Sequence, residues 1–219
     1  MVTFNDVVSS AAIKEYIRQA DESLLSIGYT EHSFSHVMKT AKDARYVLTT
    51  LGYDERCVEL AMIAAYLHDI GNVINRAVHS QSGALMAFRL LEEMGMAPRD
   101  IAAVVTAIGN HDEGTGTPVS PIAAALILAD KSDVRRSRVR NPDTLAFDIH
   151  DRVNYSVESA DISVCRDRGE IELKLVIDTS ISPVMAYFEI FLERMIMCRK
   201  AAEALEMTFK LVINGQRLM

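Results

Sequence analysis

Ala61-Met-Ile-Ala-Ala-Tyr-Leu-His-Asp-Ile-Gly71 decides how the chain is read. The apolar run predicts a buried helix, and it leads directly into a histidine beside a carboxylate, with a glycine just beyond. Packing alone does not explain such a pair, because ionisable groups taken out of water need a partner. Four further residues fall into line around His68 and Asp69: His36 upstream, then His79, His111 and Asp130 downstream. Four imidazoles and two carboxylates make a metal-ligand inventory. Neutral imidazole nitrogen and carboxylate oxygen suit zinc, iron, manganese, nickel or cobalt. Cys57, Cys165 and Cys198 are widely spaced and lack CxxC spacing, so they read as reduced thiols and not as a zinc-thiolate site.

Outward from this stretch, residues from about 7 to 135 read as successive helices. Val37, Met38, Ala41, Ala44, Val47 and Leu48 keep helical spacing from Ser35 to about Leu51, and Gly52 stops the helix. Asp54 caps the next helix, predicted to run to Asp69 and to exit through the backbone freedom of Gly71. Further helices are expected over about Ser80 to Met94, from Pro98 to about Asn110, and from the Ser120-Pro121 start signal through Asp130. Most candidate ligands thus lie near helix ends, which is how helical bundles build internal metal sites. On a continuous helix His68 and Asp69 would differ by about 100°, so that one could hold a single ion while the other bridges two. His32, in a polar turn, and His150, between acidic residues, read as ordinary polar positions.

The texture changes near residue 160. Ile162 to Cys165 and Glu170 to Ile177 alternate as a β-hairpin should, around Arg166-Asp-Arg-Gly169. A long helix is predicted from Pro183 to about Leu205, then a strand from Thr208 to Asn214. The fold class is therefore mainly α, a helical domain over 1–159 with a small β-β-α-β unit over 160–219. Residues 141–159 connect the two, with a partial helix expected from Phe147 to about Val157. Edge strands in the tail are expected to support a homodimer.

An apolar fraction of 49% with 24% charged residues is that of a globular chain. No apolar run reaches the roughly 18–20 residues of a membrane span, and the first residues lack signal-peptide organisation, so a cytoplasmic location is expected. A net charge of −7 argues against general nucleic-acid binding. Lys131, Arg135, Arg136, Arg138 and Arg140 place five cations within ten residues directly after Asp130, which suggests a local anion site. No GxSxG or P-loop pattern gives a basis for acyl-enzyme or NTP-motor chemistry.

His36, then His68-Asp69, then Asp130 resembles the signature of the HD-domain metal-dependent phosphohydrolases, over roughly residues 30 to 135. Leu67-His-Asp-Ile-Gly71 and Ile127-Leu-Ala-Asp-Lys131 are similar to the flanks typical of that family. His79 followed by Gly83 resembles the extra ligand segment of its binuclear members. Asn110-His-Asp-Glu-Gly-Thr-Gly-Thr-Pro118 is similar to a shortened HD-GYP loop, although His111 lacks a second histidine and Thr117 stands where tyrosine is usual. The HD-class diadenosine-tetraphosphate hydrolases share a similar order of six ligands.

The resemblance implies an HD helical bundle that cleaves a nucleotide or a related phosphoester or phosphoanhydride with a metal-bound hydroxide. His36, His68, Asp69 and Asp130 would hold one divalent ion, and His79 and His111 a second, with Asp69 bridging. Iron or manganese is expected, with nickel, zinc or cobalt as alternatives. His68, Asp69 and Lys131 are the expected catalytic residues. Lys131, Arg135, Arg136, Arg138 and Arg140 are expected to bind the phosphorylated substrate, with Asn72 at the position where many relatives carry a phosphate-touching lysine. Asp112 or Glu113 is a candidate to protonate the leaving oxygen. Two other readings stand beside this one: a mononuclear HD nucleotidase, and a non-catalytic metal-bearing module that senses nucleotides.

Overall fold

The computed structural model describes residues 1–140 and 148–219. Its helices are α1 (Phe4–Ser9), α2 (Ala11–Ser26), α3 (Phe34–Leu51), α4 (Glu55–Leu67), α5 (His79–Glu93), α6 (Pro98–Gly109), α7 (Pro121–Ser132), α8 (Ile149–Ser156) and α9 (Val184–Ala204). The strands are β1 (Val157–Cys165), β2 (Glu170–Ile177), β3 (Thr208–Ile213) and β4 (Gln216–Arg217). The fold is mainly α, with a small C-terminal β unit.

Several helix boundaries follow from capping chemistry. Asp54 accepts from the Cys57 amide at the start of α4, and Ser120 accepts from the Ala123 amide with Pro121 in the first turn of α7. Gly52 ends α3 in the left-handed region at φ 85°.

Helices α4 and α7 form the centre. From Ile63 to Leu67 and from Ala123 to Ala129 every side chain is buried, the pattern of helices packed on all sides. Helix α3 packs on both, α6 also contacts both, and α5 packs on α6.

The sheet has the order β1-β2-β3-β4. β1 and β2 pair antiparallel, β2 and β3 parallel, and β3 and β4 antiparallel. The α9 crossover between β2 and β3 permits their parallel pairing. Ile171, Leu173, Leu175 and Ile177 of β2, with Phe209, Leu211 and Ile213 of β3, turn one face inward. Helix α9 lies against both β3 and α7, which brings the C-terminal unit next to the centre of the bundle. β1 is an edge strand, and the Tyr46 hydroxyl from α3 accepts its Val164 amide at 3.2 Å.

The structure departs from the sequence reading in four places. Helix α4 ends at Leu67, so His68 is its C-cap and Asp69 lies beyond it, before a 3-10 turn over Ile70–Val73. The 100° argument for a continuous helix therefore does not apply. Gly71 does not adopt positive φ; its lack of a side chain serves close packing instead. β1 begins at Val157, before the change of texture at 160, and the two-residue β4 is too short to show in the sequence. Helix α8 realises the expected partial helix from Ile149, while Phe147 lies outside the described residues.

Candidate metal centre

Three helices end at one place. His68 caps α4, His111 lies two residues past the end of α6, and Asp130 sits in the last turn of α7. His36 comes from the first turn of α3 and His79 is the first residue of α5. The C-terminal ends of α4, α6 and α7 carry partial negative charge, which favours a cation there, whereas α3 and α5 present their N-terminal turns.

Local hydrogen bonds orient the rings. Nδ1 of His68 lies 2.7 Å from the Ala65 carbonyl, Nδ1 of His111 2.6 Å from that of Ile108, and Nδ1 of His79 2.9 Å from that of Arg76. In each case the imidazole donates to a carbonyl three residues earlier; His68 and His111 thereby satisfy acceptors that their helix ends leave open. His36 donates from Nδ1 to Asp133 Oδ2 at 2.7 Å. With Nδ1 protonated, each Nε2 carries a lone pair.

Those lone pairs converge. Nε2 of His36 is 3.3 Å from Nε2 of His68, and Nε2 of His79 is 3.1 Å from Nε2 of His111. Asp69 Oδ2 lies 3.2 Å from His68 Nε2 and 3.6 Å from His36 Nε2, while its Oδ1 lies 3.6 Å from His79 Nε2. Asp130 Oδ1 is 3.3 Å from His36 Nε2 and 3.5 Å from His68 Nε2. Acceptors packed so closely repel one another unless they share positive charge. The donor set fits divalent transition metals. Among the described residues, His36, His68 and Asp130 form one group able to hold an ion, and His68, Asp69 and His111 another.

The titration behaviour of the protein residues points the same way. Burial opposes a charged His68, yet Asp69 and Asp130 outweigh it and push its pKa up to about 10. Burial works against ionised Asp69 and Asp130 as well, but His68 holds Asp69 well below the carboxylate range, and Lys131 and His68 do the same for Asp130. Without a metal, a proton on His68 supplies the cation this cluster requires. Burial keeps His79 and His111 below the usual histidine range.

All six predicted ligands are thus brought together. Lys131 is buried beside them, 2.8 Å from Asp130 Oδ2 and 3.1 Å from Glu113 Oε2. Asn72 donates to Asp69 Oδ1 at 3.0 Å and to its backbone carbonyl at 2.9 Å, so it holds the central carboxylate in place. Glu113 is also bonded by Arg194 at 2.7 Å. Burial would raise its pKa, but Lys131 and Arg194 lower it to about 2, which keeps it ionised and unsuited to donating a proton. Asp112 Oδ1 stands 3.8 Å from His79 Nε2.

The arginine run does not converge as a group. Arg138 lines the cleft, but Arg135 pairs with Asp133 and Glu31, Arg136 with the Tyr155 carbonyl and ring, and Arg140 with Asp21.

Four contributors escape the sequence reading. Asp133 orients His36, three residues after Asp130. Arg76 and Arg194 line the cleft from the turn before α5 and from α9. His32, read as an ordinary turn residue, is buried with its ring 5.5 Å from that of His36, and it also lines the cleft. Only Asp133 left a sequence signal, a second acidic residue directly after the Asp130 segment.

Asp133 gives a direct check on the orientation argument. Asp133→Asn keeps the shape but removes the charge that faces His36 Nδ1. Metal affinity is expected to fall about 10- to 100-fold, as when a group orienting a ligand is lost. Competition with a metallochromic chelator measures this, and unchanged affinity would leave Asp133 a purely structural partner of Arg135 and Arg138.

Comparison with known proteins gives the family. The HD domain family matches residues 33–148, just over half of the chain. The protein belongs to the HD domain family, whose members are metal-dependent phosphohydrolases. It is 23% identical over 198 residues to an uncharacterized protein of Methanocaldococcus jannaschii, covering 80% of this chain and 75% of that one. A crystal structure of a predicted HD superfamily hydrolase from an uncultured Thermotogales bacterium is 28% identical, with a TM-score of 0.46, covering 57% of this chain and 67% of the other. No helix among the described residues is long and apolar enough to cross a membrane.

Proposed function

We propose that the protein hydrolyses a phosphoester or phosphoanhydride bond in a small phosphorylated substrate, a nucleotide in first place, at a site for two divalent ions. The observation that carries this reading is the Asp69 carboxylate. Its Oδ2 faces His36 and His68, while its Oδ1 faces His79. His36, His68, Asp130 and Asp69 would hold one ion, and His79, His111 and Asp69 the other. Ions bound there supply Lewis acidity and an activated water. Asn72 fixes Asp69 between the two sets, and Lys131 with Glu113 fixes Asp130. Iron and manganese head the candidates, since an imidazole and carboxylate set without thiolate suits them.

Elemental analysis of protein purified without chelator or nickel resin tests the proposal, together with an anaerobic screen of phosphorylated substrates. About two ions per chain are expected, as in two-metal hydrolytic sites, with loss of one in His79→Ala and in His111→Ala. A single ion insensitive to both changes would instead favour the mononuclear arrangement.

A further inference from the structure

The metal cleft adjoins a cavity of about 320 Å³. His32, Arg76, Arg138 and Arg194 line both, so they stand at the boundary between the two. The three guanidinium groups come from distant parts of the chain: the turn before α5, the segment after α7, and α9 of the C-terminal unit.

Each arginine is braced in a way that leaves donors for a ligand. The Arg76 guanidinium lies over the Tyr29 ring at 5.4 Å and turns Nη1 to Asn72 Oδ1 at 3.4 Å and toward Asp69 Oδ1 at 3.9 Å, while that of Arg194 lies over Phe191 at 4.6 Å. Arg194 uses Nε to reach Glu113. Arg138 commits Nε to the Glu31 carbonyl and Nη1 to the Asp133 carbonyl, both at 2.8 Å. Arg194 and Arg138 thus keep further N–H groups beyond these bonds, and guanidinium forks match phosphate oxygens.

We propose that Arg76, Arg138 and Arg194 form an anion-binding throat for one compact phosphomonoester, and that Arg194 makes the C-terminal unit part of substrate recognition. This rests on the hydrolase reading above. The phosphoryl group lies between the guanidinium forks and the metal ligands, and the uncharged body of the ligand fills the cavity. There Phe191 lies in the wall beneath the Arg194 guanidinium. Asn154, whose Nδ2 donates to the His150 carbonyl at 2.8 Å, keeps its Oδ1 to accept from a hydroxyl. The volume is at the low end of the roughly 300–1,000 Å³ usual for small-molecule pockets. That is room for one sugar or nucleoside, not two. Asp148, which lines this cavity but not the metal cleft, would repel a second phosphate placed beside it.

The test is calorimetric titration of the full-length, metal-loaded protein, with metal content measured on every sample. The probes are inorganic phosphate and methylene-phosphonate analogues of adenosine monophosphate, ribose phosphate and diadenosine tetraphosphate. A monoester analogue is expected to bind more tightly than the dinucleotide, and the better of the two monoesters tells whether a base is recognised. Arg194→Gln and Arg76→Gln should each weaken phosphate and monoester binding about 10-fold or more, the scale of a hydrogen bond to a charged group, with metal content unchanged. Arg194→Lys, which keeps charge but loses the fork, should recover part of that loss, and it and Arg76→Gln decide the matter if Arg194→Gln does not fold. Wild-type phosphate affinity in the substituted proteins overturns the throat, as does the absence of phosphate binding by metal-loaded wild type. Equal binding of the dinucleotide overturns the size class. Failure of the wild-type protein to take up metal is a different result, and it removes the hydrolase reading itself.

Discussion

Asp69→Ala is expected to yield a folded protein that retains little metal and loses hydrolytic activity by more than roughly 10³-fold, beyond the loss of any single stabilising donor. The expectation follows from position. Asp69 Oδ2 is 3.2 Å from His68 Nε2, and Oδ1 is 3.6 Å from His79 Nε2, so this one carboxylate faces both ends of the ligand set. No other ligand does so with two separate oxygens; Asp130 directs Oδ1 to His36 and His68 but gives Oδ2 to Lys131. Removing Asp69 leaves four imidazoles facing one another with a single carboxylate to balance a cation. The fold should survive, because the side chain lies outside the apolar core and its hydrogen bond is to Asn72. Elemental analysis and circular dichroism on the same sample separate the two effects. A folded variant with wild-type metal content would remove Asp69 from the centre of the site.

What the sequence makes legible here is local. A histidine placed at a helix end finds an acceptor three residues back, so His68, His79 and His111 are oriented by their own neighbourhoods. Helix ends can be read from caps and punctuation, and the ligands sit at those ends. The residues that were missed are oriented or placed by tertiary structure. Asp133 meets His36 from 97 positions away, and Arg194 arrives on α9, which packs on α7 from the C-terminal unit. The arginine run divides for the same reason. Its members lie on and beside a short turn and point in different directions, so Arg135 also finds Glu31, Arg136 the Tyr155 carbonyl and Arg140 Asp21, all remote in sequence, while Arg138 alone reaches the cleft.

Gly71 serves close packing and not a left-handed helix exit. Gly71→Ala is expected to destabilise the protein by about 3 kcal/mol, the upper end of overpacking penalties, and to lower its Tm by roughly 6–12 °C for a chain of this size. A Cβ built at Gly71 would lie 2.0 Å from the His79 carbonyl oxygen, 2.4 Å from the Gly83 amide nitrogen and 2.6 Å from Ser82 Oγ. The first two are backbone atoms of α5 and cannot swing aside. Gly83 faces it from the other side; a Cβ there would come within 3.2 Å of the His68 carbonyl and 3.3 Å of the Gly71 amide. The two glycines let the turn after α4 press against the first turns of α5. That contact sets the distance between the His68-Asp69 pair and His79. Relief of the clash must move α5 outward and carry His79 away from Asp69 Oδ1 and His111 Nε2, now 3.6 and 3.1 Å distant. On the two-ion reading proposed above, the variant should therefore lose the ion assigned to His79 and His111 before the one assigned to His36, His68 and Asp130. Metal content measured below the melting transition tests that order, because a general loss of fold would release both together.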